Sequence, residues 1–383
     1  MKALVFERKL AKFAAATVAG RFAPGSGAKF GPLKLKDLDV PDLLGPEWQI
    51  FKPRLSGICG SDLATIDGQS SRYFEPIVSF PFVLGHEVVG DLADGSRAVL
   101  VPVLHCAVRG IEPVCAACAT GNINLCERIA FGHLEPGLQS GFCRDTGGGW
   151  SIAMIAHQDQ LFAIPQDLSD ENAVMIEPAA CALHAARKVH CDTAVVIGAG
   201  TLGLLTVAAL RAYGNVKTII ATAKYREQRS HALALGADTV VEPAELPRAV
   251  RSHTQSMIIG TQLTGGADCV VDCVGSSASL TQALDVVGPG REVIVVGMPA
   301  HVHLDLTTLW HRETAIRGCY AYTRDDFAAA LALVQHANLG SLVSATYPLD
   351  RYEDAITHAA NAGPRGAVKV AFDLRSEKQR KDY

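Results

Sequence analysis

T-A-V-V-I-G-A-G-T-L-G, from Thr193 to Gly203, decides the fold of this 383-residue chain. Residues 194–197 are a short apolar run that reads as a buried strand, and residues 202–211 read as a helix. Between them Gly198, Gly200 and Gly203 spell G-x-G-x-x-G. In a strand–turn–helix the first glycine permits the tight turn. The second lets backbone approach a pyrophosphate, and the third lets the helix pack closely on the strand. The start of the helix offers free N–H groups and the positive end of a dipole to phosphate. The motif is short, and its weight comes from context: a strand before it, a helix opening on it and a further strand after it. A glycine-rich turn in an ordinary βα unit is the plainer reading, and that context disfavours it.

Outward from this stretch, strands at 218–222, 269–272, 292–296 and 315–318 alternate with helices at 202–213, 226–235 and 277–287. Such alternation implies a Rossmann-type, doubly wound parallel sheet. Residues 1–180 read differently. Short strand-like runs at 2–7, 49–55, 98–103 and 151–156 are broken repeatedly by Gly and Pro, the pattern of a mostly antiparallel β domain. A helix is expected over 170–189, with Asp170 as its cap and Pro178 as an interruption. After residue 320 come a helix at 324–336, a strand at 347–349, a helix at 352–360, a closing strand at 367–372 and a charged tail. Segments 13–46 and 135–149 carry no assignable pattern. The expected class is therefore α/β: a β-rich domain over 1–183, a dinucleotide-binding domain over 184–320, and a return to the first domain over 321–383.

Composition narrows the function. Hydrophobic residues make up 49% and charged residues 19%, as in a globular protein. The formal net charge of −4 leaves no basic surplus for nucleic acid. Residues 193–210 are uncharged over a length that can span a membrane. Three glycines and a β-like start make them a buried strand–turn–helix instead, so no membrane partner is expected. At the N-terminus Glu7, Arg8 and Lys9 interrupt the apolar run, unlike a secretory signal. Eleven cysteines without such a signal point to metal sites or buried thiols in a cytoplasmic protein.

Three further motifs carry chemistry. G-I-C-G-S-D-L begins at Gly57 and sets Cys59 beside Ser61 and Asp62. G-H-E-V-V-G begins at Gly85 and sets His86 beside Glu87. E-P-A-A-C-A-L-H-A begins at Glu177. In this order, ahead of the glycine fingerprint, they make the chain resemble the zinc-dependent medium-chain dehydrogenase/reductases, the alcohol, sorbitol and threonine dehydrogenase family. The resemblance covers most of the chain, with 13–46 and 135–149 as unfamiliar loops. It implies a GroES-like catalytic domain and a catalytic zinc between that domain and the nucleotide domain. Cys59 and His86 are implied as ligands, with Glu177 or Glu87 as the third. Glu177 is favoured, with Glu87 near enough to exchange. Thiolate, imidazole and carboxylate are zinc's usual donors, and a catalytic site leaves one position open. A lone Cys is most often a buried hydrophobe, and a lone His a satisfied core residue; both motifs in order favour the metal.

The resemblance gives Ser61 the hydroxyl that relays the alcohol proton, against a turn serine bonding its own backbone. Five residues past Cys59, where many relatives carry a histidine, stands Ala64, so the outer proton path differs. A second cluster, Cys106, Cys115, Cys118 and Cys126, resembles the family's structural zinc lobe, C-x2-C-x2-C-x7-C, in its last three positions. The first position holds Glu112. Cys106 is the preferred first ligand, because four thiolates make a closed structural site.

The cofactor is also addressed. An acid that binds the ribose 2′-hydroxyl of NAD belongs about 20 residues past the fingerprint. Ala223 occupies that place, followed by Lys224, Arg226 and Arg229. Missing repulsion and nearby cations favour a 2′-phosphate, so NADP(H) is expected over NAD(H); a solvated helix face is the plainer reading. The cofactor contacts implied are Gly198, Gly200, Thr201, Leu202 and Gly203 at the pyrophosphate. Cys273, Val274, Gly275, Val296, Gly297 and Met298 face the nicotinamide half. The resemblance also brings Lys369 toward the cofactor, although a solvated strand lysine is the simpler expectation. Trp150, Tyr73 and Phe74 line a substrate pocket or simply pack. An edge strand near 291–296 pairs across a homodimer or homotetramer. The expected activity is zinc-dependent hydride transfer between NADP(H) and a small alcohol or carbonyl compound. A zinc-free quinone or enone reductase and a non-enzymatic dinucleotide-binding sensor are the rivals.

Overall fold

The computed structural model describes residues 1–297, 301–376 and 379. Two compact units form. Met1–Glu177, Thr323–Phe327 and the chain from Asn338 onward make one; Pro178–Tyr322 and Ala328–Ala337 make the other. The first crossing thus falls six residues before the expected boundary at 183, within the helix Ile176–Ala186.

The second unit is a six-stranded sheet in the order Thr239–Val241, Thr218–Thr222, Thr193–Ile197, Ala267–Asp272, Val287–Val295, Ala315–Gly318. Every neighbouring pair is parallel. Its central strands are near-continuous apolar runs because helices cover both faces; Val195, Val270 and Val293 are wholly buried. Strand order reverses between Thr193–Ile197 and Ala267–Asp272, the switch point where such sheets bind ligands. The register aligns Thr222, Ile197, Asp272 and Val295 in one row, so the loops that follow leave from a common edge. The expected edge strand near 291–296 is not at the edge. Ala315–Gly318 lies outside it and is exposed along its whole length.

The first unit carries a mixed sheet in the order Val343–Tyr347, Lys369–Asp373, Trp48–Gly57, Val88–Asp91, Arg97–Leu100, Leu161–Ala163, with Met154–His157 also on the long strand Trp48–Gly57. Only its first pair is parallel; the rest are antiparallel. A smaller antiparallel sheet joins Leu33–Asp37, Lys2–Phe6 and Phe82–Val83. Trp150 is core rather than pocket. It is fully buried, stands edge-on to Phe372 and donates its indole N–H to Gly57 O at 3.2 Å. Tyr73 is largely exposed.

The unassigned segment 13–46 holds a helix, Leu10–Phe22, a short helix, Gly27–Phe30, and the strand Leu33–Asp37. The long helix has no acid in its first turn and no side-chain cap, so the usual start signals are absent. Tertiary contacts fix the segment. Asp67, at the end of the helix Gly60–Ile66, accepts the N–H groups of Gly25 and Gly27 at 2.7 and 2.9 Å. A Cβ on Gly20 would stand 2.8 Å from Asp67 Cβ, and one on Gly27 would overlap Ile66 O.

The expected helix over 170–189 is two helices, Asp170–Val174 and Ile176–Ala186. Ser169, not Asp170, is the cap and accepts the Asn172 N–H at 3.2 Å. Asp170 is buried and pairs with Arg54, Arg97 and Arg375. Pro178 falls in the first turn of the second helix, where a missing N–H costs no intrahelical bond. Segment 135–149 has no helix or strand. Its start is held by the buried Arg109, whose guanidinium donates to the carbonyls of Leu134, Glu135 and Gly137. Among the described residues, no helix is long and apolar enough to cross a membrane.

Candidate active site and metal centres

The long strand Trp48–Gly57 ends two residues before Cys59, which is the N-cap of the helix Gly60–Ile66. Its N–H donates to the Asp62 carboxylate at 3.0 Å, the reciprocal arrangement of a capping box. His86 and Glu87 lie just before the neighbouring strand Val88–Asp91. One ligand atom from each of Cys59, His86 and Glu87 lies within 4.8 Å of the others. His86 and Glu87 are buried.

Two charged groups buttress this set. Asp62 Oδ1 stands 3.3 Å from His86 Nδ1. Burial disfavours the His86 imidazolium, but Asp62 and Cys59 outweigh it and raise the pKa of the ring well above its ordinary value. Lys369 is 2% exposed, pairs with the Glu87 carboxylate and donates to Ile58 O at 3.2 Å. The solvated strand lysine expected from the sequence is therefore wrong: residue 369 opens the strand Lys369–Asp373, lies opposite Val343 within the sheet, and its cation meets a buried carboxylate. Burial opposes the Lys369 charge, and Glu87, Cys59 and Asp62 hold its pKa above the usual value nonetheless. Gly57 leaves room for this pair. A Cβ there would overlap Glu87 Oε2 and come within 2.8 Å of Lys369 Cε.

The residues fit a metal on their own chemistry. His86 Nδ1, Asp62 Oδ1 and Glu87 Oε2 are buried without a well-aligned hydrogen bond. His86 Nδ1 and Asp62 Oδ1 face each other and Glu87 Oε2 faces Lys369, so the fit to a metal rests on a thiol, an imidazole and a carboxylate whose ligand atoms converge within 4.8 Å. Glu177 is buried in the first turn of Ile176–Ala186 and is not in the converging set. Ser61 is half-buried. Its hydroxyl makes no hydrogen bond among the described residues, unlike a turn serine satisfied by its own backbone.

Cys106, Cys115, Cys118 and Cys126 bring their sulfurs within 4.8 Å of one another. Cys106 Sγ and Cys126 Sγ are 3.6 Å apart, far beyond a disulfide bond. Four sulfurs about 2.3 Å from a tetrahedral zinc stand about 3.8 Å apart, so the spacing fits. Backbone N–H groups of Cys115 and Arg128 point at Cys106 Sγ and Cys126 Sγ, each at 3.4 Å. Glu112 is outside the set. All eleven cysteines are free.

In the second unit the fingerprint loop accounts for its glycines. Gly198 has φ +91° and donates its N–H to Thr222 Oγ1 at 2.9 Å. A Cβ on Gly203 would overlap Gly198 O. Gly200 has nothing within 4 Å of where a Cβ would stand, so no protein atom demands a glycine there. Gly200 is also the N-cap of the helix Thr201–Tyr213, which Leu202 helps to open, and contributes no side-chain cap. Asp272 ends its strand buried and accepts N–H bonds from Val274 at 2.9 Å and Gly275 at 3.3 Å. Its carbonyl takes the N–H groups of Val296 and Gly297 at 2.9 and 3.0 Å. Burial pushes the Cys273 thiol up to about 12, which suits packing and not nucleophilic attack. Met298 lies outside the described residues.

At the tip of Thr218–Thr222, Ala223 is buried, and Lys224 and Arg226 are exposed without a carboxylate partner among the described residues. Arg229 is not a free cation. Its Nη1 donates to Glu242 Oε1 at 2.9 Å and reaches Ala223 O at 3.5 Å. Sequence reasoning missed Glu242, Gly57 and the Lys369–Glu87 pair. Asp62, three residues after Cys59, carried the capping-box spacing that identifies it.

Two family models match the chain, "Alcohol dehydrogenase GroES-like domain" over residues 45–166 and "Zinc-binding dehydrogenase" over residues 201–336. The D-xylulose reductase A of Aspergillus oryzae is 26% identical over 341 residues, 86% of this chain and 91% of the relative. A zinc-binding dehydrogenase from Sinorhizobium meliloti 1021, solved bound to NADP, is 26% identical with a TM-score of 0.71, over 89% of this chain and 96% of that one. The 2R,3R-butanediol dehydrogenase of Bacillus subtilis shares the fold, with a TM-score of 0.71 at 23% identity over 97% of this chain and 99% of its own.

Proposed function

The chain belongs to the zinc-dependent medium-chain dehydrogenase/reductase family, and on that basis we propose that it interconverts small alcohols and their carbonyl partners with NADP(H), polyols first among them. It is an oxidoreductase of the zinc alcohol dehydrogenase type, with zinc and a nicotinamide dinucleotide as cofactors. The observation that carries the proposal is the convergence of Cys59, His86 and Glu87.

Zinc bound there supplies Lewis acidity toward a substrate oxygen, and the dinucleotide supplies or takes the hydride. The chain's own residues do the rest. Cys59 and His86 hold the ion, and Asp62 orients the imidazole from behind. The third ligand would be Glu177 or Glu87: Glu87 lies in the converging set but already pairs with Lys369, and Glu177 lies outside that set. Ser61, with its hydroxyl uncommitted, takes the alcohol proton. Cys106, Cys115, Cys118 and Cys126 hold a structural zinc. The backbone around Gly198, Gly200 and Gly203 receives the pyrophosphate. Lys224 and Arg226 favour the 2′-phosphate, with Arg229 engaged by Glu242.

The exposed strand Ala315–Gly318 offers an unpaired edge, and a homodimer that pairs this edge is the proposed assembly. Free cysteines suit a reducing compartment, the cytoplasm. The similarity to D-xylulose reductase puts polyols at the head of a screen that also holds amino alcohols and aromatic alcohols. Metal analysis with that screen tests the reading. Two zincs per chain and chelator-sensitive NADP reduction support it. Metal-free quinone reduction, or tight cofactor binding without turnover, overturns it.

A further inference from the structure

The helix Leu10–Phe22 takes no part in the chemistry above, and its outward surface is unusual. It packs inward through Ala16 and Gly20, the buried residues of the helix. On the opposite side Leu10, Ala14, Val18 and Phe22 recur at every fourth position, a single stripe along a helix. Leu10 is 77%, Val18 60% and Phe22 86% exposed, and Phe30 on the next helix is half exposed. Isolated exposed apolar residues are ordinary, whereas these share one side of a helix.

The charge around the stripe identifies what docks. Residues 8–36 contain Arg8, Lys9, Lys12, Arg21, Lys29, Lys34 and Lys36 and no Asp or Glu, in a chain that is acidic overall. Lys9 and Lys36 share Glu7, and Arg8 reaches Glu75 at 3.4 Å. Lys12, Arg21, Lys29 and Lys34 have no carboxylate partner among the described residues. Arg21 lies in the last turn of the helix, where the dipole favours a cation, but the cations at its start do not serve it. Lys9 is its N-cap and Lys12 lies in its first turn, where the dipole disfavours positive charge.

A second copy of the chain is a poor occupant. Thirteen residues make a helix about 20 Å long and about 10 Å wide. Its face offers roughly 200 Å², against the roughly 800 Å² per partner of a standard stable interface. Exposed apolar residues beside unpaired cations suit the headgroup region of an anionic bilayer instead.

We propose that Leu10–Phe22 docks this protein reversibly on an anionic lipid surface, apolar face inward and Arg21 and Lys29 against the headgroups. The expectation of no membrane contact rested on the lack of a spanning segment; a helix that lies in the interface needs none.

Flotation of the full-length, metal-loaded protein with phosphatidylglycerol vesicles, with neutral phosphatidylcholine vesicles as the comparison, tests this. The proposal predicts binding to the anionic vesicles, little to the neutral ones, and release by salt. Val18→Glu with Phe22→Glu lowers the anionic affinity at least tenfold. Both side chains point outward, so circular dichroism and cofactor binding stay unchanged. Arg21→Glu with Lys29→Glu, which leaves the stripe intact, also weakens binding. Absence of anionic binding, or binding that the stripe variant leaves intact, overturns the proposal. So does a halving of the solution mass by the stripe variant, which assigns the face to a second copy.

Discussion

Lys369 and Glu87 form an ion pair in the interior of the first unit, each side chain only 2% exposed. Removing one partner leaves the other as an uncompensated buried charge. Lys369→Met is predicted to lower unfolding stability by about 3 kcal/mol or more. The double variant Lys369→Met, Glu87→Gln regains over half of that. Urea midpoints of the wild type, both single variants and the double variant check this. Equal losses in the single and double variants would show that the pair contributes only packing.

Gly57 borders the same pair. A methyl group there overlaps the Glu87 carboxylate. Gly57→Ala is predicted to displace Glu87, to destabilise the fold by about 1–3 kcal/mol as overpacking does, and to lower kcat/KM at least tenfold. Thermal melts and steady-state kinetics read the two effects. Unchanged kinetics in this variant would mean that the carboxylate is free to move without consequence.

The four-sulfur set predicts different outcomes at its two disputed positions. Cys106→Ser loses one zinc per chain and lowers Tm, because a closed thiolate site contributes directly to folding. Glu112→Ala keeps both zincs and the wild-type Tm. The reverse pattern would return the first ligand position to Glu112.

Cofactor preference turns on the tip of Thr218–Thr222. Lys224→Ala with Arg226→Ala is predicted to weaken NADP(H) binding about tenfold and NAD(H) binding little, measured by titration of cofactor fluorescence. Glu242→Gln frees Arg229 and raises NADP(H) affinity several-fold. Equal affinity of the wild-type protein for both cofactors would remove the 2′-phosphate from this account.

Glu7 joins the start of the Leu10–Phe22 helix to the strand Leu33–Asp37. Hydrogen bonds from Lys36 and Lys9 lower its pKa from 4.5 to about 2. A depressed carboxylate pKa means that the unfolded chain binds the proton first. The stability Glu7 contributes is therefore present above pH 4.5 and lost as pH falls toward 2. Its partners are 40% and 50% exposed, so the contribution is about 1 kcal/mol at most. Glu7→Gln should narrow its stability deficit relative to wild type as pH falls from neutral toward about 3. A deficit that does not change with pH would rule this out.

Much of this was legible in the chain. Residues 193–203 announced their strand, turn and helix, because glycine geometry and apolar periodicity are local. The order of C-G-S-D, H-E and E-P motifs before them pointed to the family. What stayed hidden depends on contacts between distant segments. Nothing near Lys369 says that its cation meets Glu87, and nothing near Arg229 says that Glu242 engages it. The helix Leu10–Phe22 lacked start signals, since Asp67 and close glycine contacts hold its segment. Asp170 looked like a cap because acids favour helix starts; its three arginine partners come from elsewhere in the chain.

Zinc content of the purified wild-type protein and of Cys59→Ser, measured by plasma mass spectrometry beside alcohol dehydrogenase activity, tests the central claim most directly. The account predicts two zincs per chain in the wild type and one in Cys59→Ser, with activity lost and the fold retained. Two zincs in the variant, or activity that survives the substitution, would contradict it.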